Sequence, residues 1–167
     1  THAGAAFGLL LGAAALLVGR NAPRASIALS VAVMAVGSIG LLEVAIGRDL
    51  MAWRWLDACL PVWSGRPPGR MSEFAALCFS LLGVVGIAVV TGRAVLFREA
   101  CALAVLLIAL GSSASYGLVL TGDSAMLLHR LPIMTAAMLL FLSLAWMASV
   151  PTTGLTRIAV ADSMGGA

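Results

Sequence analysis

The sequence predicts an all-α integral membrane protein with about five transmembrane helices in hairpin repeats and one short interfacial helix. Three observations predict it. Hydrophobic residues make up 62% of the chain and charged residues only 10%, and the mean hydropathy is +1.08. A soluble domain of 167 residues leaves too much of its area in water to hide that much apolar surface, whereas a bilayer serves as its solvent. The apolar residues also fall into runs close to the roughly 20 residues that cross hydrocarbon. Finally, the positive charges are all Arg and stand singly between those runs, where they fit lipid phosphates and topology better than nucleic acid, which selects basic clusters on one face.

Residues 1–150 form a single transmembrane helical domain, and residues 151–167 a polar tail with a Gly-rich end. The first run, about 3–19, reads AGAAFGLLLGAAALLVG and is short. It has neither a basic leader nor a clear small-residue cleavage site, so it is not read as a signal peptide. The second, about 26–47, ends in LLEVAIG; the third, about 73–92, starts at Glu73. The fourth spans about 100–121, and the fifth, about 131–150, follows Arg130.

Between the second and third runs lies the longest wet stretch, GRDLMAWRWLDACLPVWSGRPPGRMS (47–72). Trp rings settle at the bilayer interface, and Arg heads reach phosphates while their stems stay in apolar surroundings. Residues 49–63 are therefore expected to form the interfacial helix, with Trp53, Trp55, Trp63 and Arg54 as membrane-interface anchors. Pro61, Pro67 and Pro68 end it. The stretch holds no His and no close carboxylate pair, which argues against a catalytic segment.

Arg20, Arg24, Arg93, Arg98 and Arg157 fall on one side of this arrangement, and Arg48, Arg54, Arg66, Arg70 and Arg130 on the other. The tight first and third loops hold little but Arg and are placed in the cytoplasm; the second also carries Asp49, Asp57 and Glu73.

The chain is similar to itself. Shifted by 71 residues, AAFGLLLG (5–12) lies on ALCFSLLG (76–83), so that Gly12 meets Gly83. Shifted by 74, Gly37 falls on Gly111 and Asp49 on Asp123. The short turns that follow, GRNAPR and GRAVLFR, are alike, and TAAMLLFLS (135–143) opens a third unit in the same style. The unit is a hairpin of roughly 70 residues: span, basic turn, span, longer outer segment. Small residues recur along the spans: Gly8 with Gly12, Gly37 with Gly40, Gly83 with Gly86. Such pairs let helices approach closely, within one bundle in preference to a homodimer.

The segments LLEVAIGRDL and MSEFAALCFSLLG carry a resemblance. They look like the membrane-embedded N-terminal sensor region found ahead of PAS, histidine-kinase and diguanylate-cyclase modules in bacteria. Met71, Ser72, Ala76, Leu77, Phe79, Leu82 and Gly83 match the opening of that family's spans. Leu41, Leu42, Glu43, Gly47, Asp49 and Leu50 match the end of its second span, and Asp162, Ser163, Gly165 and Gly166 its tail. Phe74-Ala75 stands where the family has Asn-Thr, and Val44 where it has Tyr. The resemblance implies a sensing or anchoring module of the bacterial inner (cytoplasmic) membrane, with a cytoplasmic signalling domain in the same polypeptide. It brings no ligand-binding residues with it.

Few side chains offer chemistry. Glu43 lies inside a span, where a carboxylate is costly and faces the bundle interior. It is a candidate proton- or ligand-responsive group, or the partner of Arg48 or Arg130. Tyr116, with Ser112, Ser113 and Ser115, forms a polar knot that serves packing, or that borders a small-molecule cavity. His2 and His129 stand on the outer side at the starts of the first and fifth spans, where paired His could hold a haem or a metal, although a b-type haem usually takes its His from within facing helices. Cys59, Cys78 and Cys101 have no metal-site spacing. No cofactor, metal, nucleic acid or catalysis is expected, and the partners are the bilayer and a fused signalling domain. The alternative is an accessory subunit of a larger respiratory or photosynthetic membrane complex, packed against other membrane subunits.

Overall fold

The computed structural model describes residues 3–19, 21–47, 71–92, 94–120 and 131–149, and among them it is entirely helical apart from turns. The helices are α1 (Ala3–Val18), α2 (Pro23–Ile46), α3 (Glu73–Thr91), α4 (Val95–Leu120) and α5 (Ile133–Ala148). The expected interfacial helix with Trp53, Arg54, Trp55 and Trp63, both His2 and His129, and the tail all lie outside the described residues.

Three helices are long and apolar enough to cross a membrane: Pro23–Ile46, Glu73–Thr91 and Val95–Tyr116. At 1.5 Å rise per residue, α2 and α3 reach about 36 and 29 Å against the ~30 Å of hydrocarbon. The first and fifth expected spans form apolar helices of 16 residues each, about 24 Å long. They end short of the expected 3–19 and 131–150, α5 because Pro132 precedes its first turn.

Local chemistry sets the other ends. Pro23 stands in the first turn of α2, where its missing N–H costs nothing, so the helix starts earlier than the expected residue 26. Gly47 closes α2 in the left-handed region at φ 69°, and Gly92 closes α3 in the same way at φ 64°. Ser72 caps α3, its Oγ accepting from the Ala75 N–H at 3.2 Å. The largest departure is α4, which begins at Val95 rather than about 100. Arg98, expected in the third loop, instead lies buried in the first turn of α4 beside the buried Glu99, 3.7 Å from its carboxylate.

The helices pack antiparallel to their chain neighbours, with α3 central and touching all four others. The core gathers Phe79, Leu82 and Val85 of α3 with Val33, Val105 and Leu139. The most extensive contact joins α2 to α3, across the long 48–70 segment, and not the helices joined by short basic turns. On α2 the seam runs through Ser30, Met34, Gly37 and Gly40, which meet Gly86, Gly83, Ala76 and Met71. A Cβ on Gly37 would lie 2.6 Å from the Ala76 carbonyl oxygen, so the two backbones touch and no side chain fits between them. The hairpin α1–α2 is pinned by Ser26 Oγ, which donates to the Ala15 carbonyl at 2.8 Å.

Polarity is inverted relative to a soluble bundle. Ser26, Ser30, Ser112, Thr135 and Ser143 are essentially fully buried, whereas Leu17 is 75% exposed and Leu10 and Phe141 are each 70% exposed. In water this arrangement leaves large apolar side chains wet on the outside while hydroxyls occupy the core, the opposite of what the hydrophobic effect selects.

Candidate functional site

The α3 N-terminal end of the seam holds the most unusual group among the described residues. From Gly40, whose added Cβ would meet the Ala76 Cβ at 2.9 Å and the Met71 sulfur at 3.2 Å, one more turn along α2 leads to Glu43. Antiparallel pairing sets it beside the first turn of α3, capped by Ser72 and followed by the exposed Glu73. Glu43 is only 2% exposed, and its Oε1 has no hydrogen-bond partner among the described residues. A buried carboxyl oxygen left unpaired carries a desolvation cost that a proton, a donor or a cation would relieve. Arg48 and Arg130, the expected alternative partners, lie outside the described residues.

On the far side of the same end, the polar knot of α4 resolves into packing bonds. Ser113 Oγ donates to the Ala109 carbonyl at 2.8 Å and Ser115 Oγ to the Ser112 carbonyl at 2.7 Å. Tyr116 OH donates to the Leu131 carbonyl at 2.6 Å and so ties the end of α4 to the start of α5. One turn deeper on each helix come Ser112 and Thr135, both fully buried, their hydroxyl oxygens without partners among the described residues. Tyr116 thus positions the end of α4 against the start of α5.

Sequence reasoning missed the cluster at the opposite end. Arg98 Nη2 lies 3.7 Å from Glu99 Oε1, and both side chains are 8% exposed. Val85, Ala102, Trp146 and Met147 surround them. Adjacent residues on a helix point about 100° apart, so burying both requires cover from α3 on one side and α5 on the other. The available signal was the apolar Val95-Leu96-Phe97 preceding Arg98, which continues the helix upstream of the charges. Cys78 and Cys101 are free, buried thiols in α3 and α4. Among the described residues no group of three or more His, Cys, Asp or Glu side chains is placed to hold a metal ion.

No family model, curated protein or solved structure matches this chain.

Proposed function

We propose that this chain is a non-catalytic, multi-pass helical module of the bacterial cytoplasmic membrane, sensing or anchoring for a signalling domain in the same polypeptide, with Glu43 as its responsive group. The observation that carries the reading is Glu43 itself, a buried carboxyl oxygen with no partner among the described residues, one turn beyond a glycine-tight contact of α2 with α3. An intramembrane ionisable residue is expensive to keep and marks function more often than packing. Two further observations support it. Outward leucines and phenylalanines with inward hydroxyls suit a lipid surround. The two segments that resemble the sensor region, around Glu43 and around Met71–Gly83, also pack against one another, because Gly40 rests on Met71 and Ala76. A change of charge or partner at Glu43 would act on a contact in which backbones already touch, so a small shift there moves α2 against α3 as a unit.

The test is the mass of the native polypeptide carrying these residues, solubilised mildly, with mass spectrometry of whatever copurifies. A chain far above 17.0 kDa that contains kinase or cyclase peptides supports the sensor reading. A chain near that mass held firmly among other membrane subunits sinks it in favour of an accessory subunit.

A further inference from the structure

The Arg98–Glu99 pair borders a small cavity of about 10 Å³, walled by Val85 of α3, Ala102 of α4, and Trp146 and Met147 of α5. Arg98 is 7% and Glu99 6% exposed, so both charged residues are more than nine-tenths buried. A cavity of that size is just large enough for one water molecule. Size alone does not decide occupancy, because cavities lined only by aliphatic and aromatic groups stay dry. Here a guanidinium and a carboxylate form part of the wall.

The separation within the pair points the same way. Arg98 Nη2 and Glu99 Oε1 stand 3.7 Å apart. A direct hydrogen bond between a guanidinium and a carboxylate is about 2.7–2.9 Å long, so attraction between charges holds these two atoms without a bond linking them. The cause is local. Arg98 and Glu99 follow one another in α4, and consecutive helical side chains leave the axis about 100° apart and do not face each other. A polar contact stretched beyond about 3.5 Å is where a bridging water belongs. One water can accept from a guanidinium N–H and donate to the carboxylate, which gives it the two polar partners that a buried water needs. It also offsets part of the cost of taking two ions out of bulk water, a cost that their mutual attraction alone does not reliably recover.

We propose that this cavity is a binding site for one structural water, which accepts from Arg98 and donates to Glu99 and so converts a long ion pair into a hydrogen-bonded bridge. The bridge lies where α3, α4 and α5 meet, between Val85, Ala102 and Met147. The site is independent of the role given to Glu43.

The test is water-selective NMR on the full chain in deuterated detergent micelles, with the alanine and valine methyl groups labelled with carbon-13. The expected result is a cross-peak from water to the Ala102 methyl, of opposite sign in NOE and ROE spectra, the signature of a bound water as against a passing one. Val85→Ile adds one methyl group, roughly the bulk of one water, and leaves Arg98 and Glu99 in place, so it should abolish that cross-peak. Ala102→Ser carries a hydroxyl to the edge of the cavity in place of the water and should abolish the corresponding cross-peak at the Val85 methyl groups. No cross-peak at either position, in protein whose methyl spectrum shows it folded, overturns the site. A cross-peak that survives unchanged in both variants arises from guanidinium protons exchanging with bulk water and overturns it equally.

Discussion

Gly83 of α3 lies so close to Met34 of α2 that a Cβ added to it would sit 2.6 Å from the Met34 Cβ and 2.7 Å from the Met34 amide nitrogen. The obstacle is backbone and the rigid root of a side chain, so neither helix can yield locally. Gly83→Val should lower stability by roughly 3 kcal/mol, at the upper end of overpacking costs, and Gly37→Val by a similar amount. Gly12→Ala should cost under about 1 kcal/mol, because the atom in its way, 2.8 Å off, is the far end of the flexible Leu142 side chain. Thermal unfolding in mild detergent checks the ordering; equal losses at all three positions would contradict a backbone-tight α2–α3 seam.

Glu43 should trade stability against response. Glu43→Leu removes a buried oxygen with no partner among the described residues and adds apolar contact, so it should stabilise the bundle by about 1–3 kcal/mol. If Glu43 is the responsive group, the same variant should silence the output of the full-length polypeptide. Glu43→Gln keeps shape and should change stability less. A marked loss of stability in Glu43→Leu would show instead that the carboxylate is held by a productive partner.

The Arg98–Glu99 pair should behave as a buried ion pair. Removing either partner takes away one opposite charge 3.7 Å from a side chain that is 8% exposed, and breaking such a buried pair costs up to roughly 3–5 kcal/mol. The double variant Arg98→Leu/Glu99→Leu should recover most of that loss, because the two desolvation costs vanish together. The signature is non-additivity in a double-mutant cycle followed by chemical denaturation. Additive effects would mean that each residue is anchored separately.

Ala94 has φ 53°, a left-handed conformation that costs a residue with a Cβ about 1–2 kcal/mol. Ala94→Gly should therefore raise stability by about 1 kcal/mol, and Ala94→Val should lower it by more, because branching at Cβ worsens the same clash. A melting-temperature series across the three side chains reads the sign directly.

Much of the fold was legible as runs of apolar residues. Run length alone located every described helix to within a few residues, except the start of α4, where charges masked a helix whose Arg and Glu neutralise one another. Gly37, Gly40, Gly83 and Gly86 were legible as small residues, but their interlocking was not, since Gly and Ser are scattered through the whole chain. That Glu43 faces inward was legible because a carboxylate within an apolar run was expected to turn to the bundle interior. Trp146, by contrast, read only as one more apolar residue of the fifth run.

The sequence by itself determined that these segments are apolar and helical, because composition and run length act locally and need no partner; of the five spans it led one to expect, three form helices long and apolar enough to cross a membrane. Only the tertiary structure decided that α2 pairs most closely with α3 across the 48–70 connection, that Ser112 and Thr135 sit in the core, and that Trp146 lies beside the buried Arg98 and Glu99. Those outcomes depend on which small residues meet in space. In a chain whose surface is as apolar as its interior, hydrophobic pattern does not mark the inward face, and close packing selects it instead.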